Sequence, residues 1–320
     1  VTHYDVIGDI HGQAGKLEAL LKLLGYARTG RTWRPPHGTQ AVFLGDLIDR
    51  GPEQLRVLEI VRAMVDAGDA RCVLGNHELN AIAYMTRSRD RPQETLRPHS
   101  AKNEAQHVEF LRQVGMGSAT HIHWLRWFRT LPVALDLGGI RAVHAWWHQP
   151  HVDRVAARWS ADGAAGDGDE FLHAACTKGT AEWQAMEGLI KGLELNLPPP
   201  CSFVDHGGVE RHEVRTKWWL AGARTYREVA IVDWPQIEGV PDHPLPRDYL
   251  GAPVEGSPVF VGHYWMKGSP VLQSPKLACL DWSAAKDGPL VAYRWEGGAT
   301  LDSQCFFAAG GSTPPLAATK

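Results

Sequence analysis

The sequence predicts an α/β fold whose N-terminal part is a βαβαβ core with a mostly parallel sheet. Three observations predict it. Short apolar runs alternate with helix-spaced stretches, recurring roughly every 30 residues near the N-terminus. Each apolar run ends on a glycine followed by Asp or Asn. With 44% hydrophobic and 22% charged residues in a chain of 320, there is enough apolar material for a sizeable core and no signature of disorder.

The elements follow in order. Tyr4–Ile7 is the first strand. Leu17, Leu20, Leu21 and Leu24 recur at i, i+3, i+4 and i+7, one face of a helix that Gly25 closes. Ala41–Leu44 is the second strand. Pro52 suits a helix start, and Leu55, Leu58, Val61 and Val65 line that helix. Arg71–Leu74 is the third strand, and Glu78–Met85 is helical. Residues 87–102 are polar, carry two prolines and read as a surface loop. Ala105–Val114 and Ile122–Thr130 are expected to be helices. Val133–Leu137 and Ile140–His144 form a hairpin around Gly138-Gly139. Ser160–Asp169 has the composition of a mobile loop. Val214–Trp219 alternates like a strand, and Val259–Val261, Leu277–Asp281 and Leu290–Trp295 are the later strands. No repeat or linker divides the chain, so residues 1–307 are expected to be one domain and 308–320 a flexible tail.

Charge and cysteine content exclude several classes. The 33 basic and 36 acidic residues nearly cancel, so no strong duplex nucleic-acid or anionic-membrane footprint is present. The five cysteines include no C-x-x-C pair, which argues against a disulfide framework and a thiolate zinc site. No apolar run approaches the roughly 18–20 residues of a membrane span. The chain enters its first strand at once, leaving no room for a signal peptide, so the expected compartment is the cytoplasm. The 16 histidines stand out and admit metal ligation, proton transfer or surface enrichment.

The three strand ends carry the chemistry. They read Gly8-Asp9-Ile10-His11-Gly12, then Gly45-Asp46-Leu47-Ile48-Asp49-Arg50-Gly51, then Gly75-Asn76-His77-Glu78. Each lies where an open α/β sheet puts its ligands, past the carboxyl end of a strand. Glycine permits close backbone approach. Asp, His and Asn donors suit manganese, iron or zinc better than soft copper. Val143-His144-Ala145 and Val261-Gly262-His263 each place a further His after a strand-like run.

These segments resemble the calcineurin-like metallophosphoesterases, in particular the branch that contains the phosphoprotein phosphatases. The pattern GDxHG, GDxxDRG, GNHE and two later histidines is tight over residues 4–80 and then survives at isolated points. The resemblance implies a four-layer α-β-β-α sandwich. It also implies two divalent metal ions per chain, manganese first and iron or zinc as the other options. Asp9, His11 and Asp46 would hold one ion. Asp46 would bridge to a second, held by Asn76, His144 and His263. A phosphomonoester would be cleaved by direct attack of a bridging hydroxide, without a covalent intermediate. Arg50 would grip phosphate oxygens with its planar fork. His77 would be the general acid, oriented by Asp49. A second phosphate-binding arginine is expected among Arg211, Arg215 and Arg224, with Arg215 favoured.

Two departures bear on the substrate. Leu74 stands where the eukaryotic protein phosphatases have Arg, and Ala145-Trp146-Trp147 replaces their Gly-Ser. Both weaken a strict phosphoserine or phosphothreonine assignment, and the substrate is expected to be a phosphorylated small molecule, a nucleotide or a phosphopeptide. Phosphodiesters and dinucleoside polyphosphates are the alternatives, and a non-catalytic metal-binding scaffold is a distant one. Trp146-Trp147, Trp218-Trp219 and Trp265 admit base stacking but read more naturally as packing. His121, His123, His148 and His151 carry no assigned role.

Overall fold

The computed structural model describes residues 3–156, 158–159, 168–205 and 208–311. Most of the expected Ser160–Asp169 loop, and residues 312–320 of the expected tail, lie outside them. Strand β1 (His3–Ile7) is followed by α1 (Ala14–Leu23), β2 (Thr39–Phe43), α2 (Gln54–Asp66), β3 (Ala70–Cys72) and α3 (Asn76–Met85). A small ribbon of Ala27–Thr29 and Thr32–Arg34 lies between α1 and β2 and packs on α2. Helices α4 (Ala101–Val114) and α5 (Ala119–Phe128) come next. Each starts on a serine, Ser100 or Ser118, whose hydroxyl accepts a backbone N–H from the first turn. The expected hairpin forms from β4 (Ala134–Asp136) and β5 (Arg141–Val143). Then come α6 (Gln149–Ala156), α7 (Gly168–Cys176) and α8 (Ala181–Lys191). Four strands close the fold: β6 (Val259–Val261), β7 (Leu277–Cys279), β8 (Leu290–Trp295) and β9 (Phe306–Ala309).

Two sheets organise these elements. The first has the order β9-β8-β1-β2-β3 and the second β7-β6-β5-β4. The first is mixed rather than mostly parallel. β1, β2 and β3 run parallel, but β8 and β9 join antiparallel. A strand that returns late in the chain, without a crossover helix, has no reason to keep the parallel direction. Two residues of the expected tail belong to the sheet instead. Ala308 and Ala309 pair with Val291 and Leu290 as the edge of the sheet.

The period-2 alternation of each strand sorts its side chains between two cores. Val6, Val42, Leu44, Val291 and Tyr293 meet Ile140, Ala142, Phe260, Ala278 and Leu280 between the sheets. Ile7, Ala41 and Phe43, and on the other sheet Val143, Val261 and Cys279, face the helices. Helices therefore cover both outer faces, which is the four-layer α-β-β-α arrangement. A third, smaller core of Leu197, Val214, Tyr226, Ala230 and Val240 lies under the segment between α8 and β6. There the expected 214–219 strand ends early. Glu213–Arg215 pairs with Glu194–Asn196, while Trp218 and Trp219 turn inward and are buried.

Candidate active site

The parallel run of β1, β2 and β3 points the three glycine-bearing loops off one edge of the first sheet. β5 and β6, also parallel, send His144 and His263 off the second. The five segments meet. Asp9, His11, Asp46, Asp49, Asn76, His77, His144 and His263 are all buried. The backbone has been bent to bring them in. His11, Asp46, Asp49, Arg50 and His263 all have φ between 47° and 72°, the left-handed region that residues with a Cβ rarely adopt. Two glycines permit the approach. Gly45 (φ 88°) lies against the backbone of Gly75, and a Cβ on Gly262 would lie 1.9 Å from Asp9 Oδ1.

Asp46 is central. Its Oδ2 lies 3.6 Å from His11 Nε2 and its Oδ1 3.4 Å from His144 Nε2. His11, Asp46 and His77 offer donor atoms within 4.8 Å of one another, and so do Asp46, His144 and His263. Each outer histidine is aimed by its other nitrogen: His11 Nδ1 lies 2.8 Å from the carbonyl oxygen of Ile48, and His144 Nδ1 2.6 Å from that of Leu44. Asn76 Oδ1 lies 3.1 Å from His144 Nε2 and 2.8 Å from His263 Nδ1. Asp9 Oδ2 accepts the backbone N–H of His263 at 3.0 Å.

This donor set fits divalent cations. Asp9 Oδ1, His11 Nε2 and His263 Nε2 are buried without a hydrogen-bond partner, a costly arrangement unless something else satisfies them. Burial and the neighbouring Asp281 raise Asp9 well above the usual carboxylate range. Burial also opposes charge on Asp46, but His144 and His77 outweigh it and hold that carboxyl low. His144 is raised to about 10, because Asp46 and Asp9 overcome its own burial. Burial, then the neighbouring His77, lowers His11 to about 3. A cation placed among these carboxylates would take over the work that protons do without it.

Beside the donors stands a second unit. His77 Nδ1 lies 2.5 Å from Asp49 Oδ2, both residues buried. Burial disfavours a charged His77, but Asp46 and the bond to Asp49 outweigh it and raise the imidazole above its usual range. Burial would likewise raise Asp49, but its bonds to His107 and His77 hold it at about 2. The guanidinium of the exposed Arg50 stacks 4.1 Å over the ring of Trp265. Of the three candidate second arginines, Arg215 is placed so that its charge lowers His263, after burial. Arg211 is paired with Asp205 on the outer ribbon, and Arg224 is exposed.

Several residues at the site were not singled out by the sequence. Glu78 is buried, and its carboxylate accepts the backbone N–H groups of Asp46, Leu47 and Gly75 at 2.8–3.0 Å. It clamps the second loop to the third. Its place in the Gly-Asn-His-Glu segment was the available signal. Asp281 accepts the N–H groups of Trp265 and Ser283 and so fixes the loop after His263. His107 bonds Asp49, and Gln106 reaches His77, both from α4, where nothing local marks them. Trp146, Trp218 and Trp219 are packing residues, and Trp265 serves Arg50.

Known proteins resemble the chain in three ways. A bis(5'-nucleosyl)-tetraphosphatase PrpE of the asymmetrical type from Geobacillus thermodenitrificans (strain NG80-2) is 47% identical over 75 residues. That match takes in 23% of this chain and 31% of that protein, so the chain spans about a third of the length of this curated relative. A symmetrical bis(5'-nucleosyl)-tetraphosphatase from Edwardsiella ictaluri (strain 93-146) is 27% identical over 91% of this chain and 92% of its own. A protein serine/threonine phosphatase structure from Saccharomyces cerevisiae overlays 98% of this chain and 81% of its own at TM-score 0.47 and 14% identity. The profile of the calcineurin-like phosphoesterases matches residues 2–185, more than half the chain and all of the elements that bring Asp9, Asp46, Asn76 and His144 together. The chain therefore belongs to the calcineurin-like phosphoesterase family.

Proposed function

We propose that this protein is a two-metal phosphoester hydrolase that acts on phosphomonoesters with an alcohol leaving group. Asp9, His11 and Asp46 would hold one ion, and Asp46, Asn76, His144 and His263 the other, with manganese the first to test and iron and zinc next. When bound, such ions supply Lewis-acid charge that activates water and offsets the charge on phosphate. Arg50 supplies a fork for two phosphate oxygens, kept in plane by Trp265. Arg215 adds positive charge near His263. His77 delivers a proton to the departing oxygen, and Asp49 keeps its Nδ1 committed so that Nε2 faces the substrate.

The observation that carries this reading is the buried His77–Asp49 pair beside the donor set. A positioned acid matters most when the leaving group is a poor one, such as an alkoxide. A phosphate leaving group, as in a dinucleoside polyphosphate, gains little from it. The second reading is hydrolysis of dinucleoside tetraphosphates. It is favoured by the similarity along 91% of the chain to the Edwardsiella protein. A cavity of about 630 Å³ beside Glu194, the partner of Arg215, with Trp146, Trp183, Tyr226 and Tyr249 in its lining, adds to it.

Product analysis separates the two. Protein loaded with Mn²⁺ is given p-nitrophenyl phosphate, bis-p-nitrophenyl phosphate and diadenosine tetraphosphate. The monoester should give the highest kcat/KM, and chelation or Asp46→Asn should remove that turnover. A higher kcat/KM for the tetraphosphate selects the second reading, and a higher one for the bis ester selects a phosphodiesterase. Metal binding without turnover of any of the three would leave a scaffold.

A further inference from the structure

We infer that His107 on α4 positions the His77–Asp49 pair for proton delivery to the leaving group. The inference rests on the role proposed for His77. It concerns a residue that lies outside the strand-end loops.

Asp49 is held from three directions. Its Oδ2 bonds His77 Nδ1 at 2.5 Å and its Oδ1 bonds His107 Nδ1 at 2.7 Å, while its own N–H donates to Gln54 Oε1 at 2.9 Å. A carboxylate with one imidazole partner can pivot about its last bond. One with a different imidazole on each oxygen cannot, because turning toward either ring breaks the bond to the other. The plane of the carboxylate is thereby fixed, and with it the ring of His77. His107 is suited to the task. It is buried, and the rings of Tyr84 and Phe110 pack around it with centroids 5.4 and 5.1 Å away. Its Nε2 is buried without a partner, so the hydrogen-bonding pattern assigns its proton to Nδ1, on the side of Asp49.

Gln106, also on α4, lies at the opposite edge of the same ring, its Nε2 3.3 Å from His77 Nε2. Arg97 donates to Gln106 Oε1 at 2.9 Å and to Asn80 Oδ1 at 2.7 Å. The amide NH2 therefore faces His77 and can donate only to a ring nitrogen that carries no proton, so it does not support the protonated acid. His107 is the positioning residue.

A positioning role in proton transfer has a readout that packing alone does not move, the dependence of rate on the leaving group. The Mn²⁺-loaded protein is compared on phenyl phosphate, a poor leaving group, and 2,4-dinitrophenyl phosphate, a good one. His107→Leu is expected to lower kcat on phenyl phosphate by roughly 10–100-fold, a good part of what a general acid supplies. On the dinitrophenyl ester it should change kcat by less than about threefold, since that group leaves without a proton. KM should be unchanged on both. His107→Asn, whose amide can still donate to Asp49, should restore most of the phenyl phosphate rate. His107→Phe, which also removes the bond to Asp49, should show the same bias and serves as the second variant if His107→Leu does not fold. Equal loss on both esters, or no loss on either, overturns the inference. His77→Asn is measured alongside. If it too shows no leaving-group bias, the acid role of His77 falls and this inference with it. If His77→Asn shows the bias and the α4 variants do not, only this inference falls.

Discussion

The left-handed backbone at His11, Asp46, Asp49, Arg50 and His263 costs about 1–2 kcal/mol at each residue, and none of the five is a glycine. Such strain persists only where the surroundings hold it. Glu78, buried and bonded to four loop N–H groups, and Asp281, bonded to two, help to hold it. Glycine is kept where a side chain cannot be accommodated at any backbone angle. At Gly262 the obstacle is the Asp9 carboxylate itself, 1.9 Å from where a Cβ would stand. Gly262→Ala should therefore push Asp9 out of the donor set while leaving both sheets intact. Calorimetric titration with Mn²⁺ should show affinity reduced by roughly 10–100-fold, the size of effect seen when a ligand loses its support. Unchanged affinity would mean that Asp9 is not a ligand.

Elements, rather than single residues, decide where the loops point, and one ion pair ties three of them. Asp5 on β1 is fully buried and sits directly opposite Arg294 on β8. The guanidinium bonds both carboxylate oxygens, at 2.8 and 2.9 Å, and caps the end of α1 through the Leu24 carbonyl oxygen at 2.7 Å. Arg294→Ala leaves a buried carboxylate without its cation and should destabilise the fold by about 3–5 kcal/mol in urea unfolding. A loss below ~1 kcal/mol would show that water replaces the arginine. This is also the scale at which the limits of the sequence are plainest. Strands β6 and β8 were legible to the residue, because short apolar runs between turn residues have no other reading. The residues expected to be donors stand out in the same way, because each follows its own strand by one to four residues. His107 does not. It reaches Asp49 across 58 residues, and on α4 it is one of many polar side chains on an amphipathic helix. Strand β9 was missed because Phe306-Phe307-Ala308-Ala309 runs into small residues, and only its pairing with β8 makes it a strand.

At the scale of the molecule, the candidate donor set lies where two sheets end together, with residues drawn from both. Asp9, Asp46 and Asn76 follow strands of the first sheet, and His144 and His263 follow strands of the second. An ion shared between them would cross-link the two halves of the sandwich, which also meet through the apolar core of Val6, Val42, Phe260 and Tyr293. Among the described residues no helix is long and apolar enough to cross a membrane. The link has a sign. Cations that bind only the folded state stabilise it by mass action, by about 2.7 kcal/mol when free metal is 100-fold above Kd. Chelation should thus lower Tm by roughly 3–6 °C, and Asp46→Asn should lose most of that difference. Acid should shrink it as well. As a ligand, His144, raised to about 10 without a cation, must shed its proton to bind one, so protons compete increasingly as pH falls below that value, and the metal-loaded and chelated proteins should melt closer together at pH 5 than at pH 8. Scanning calorimetry of both forms from pH 5 to pH 8 tests this. A gap that stays constant across the range would mean that histidines do not hold the ions, and a gap absent throughout would mean that the two sheets are not joined by metal.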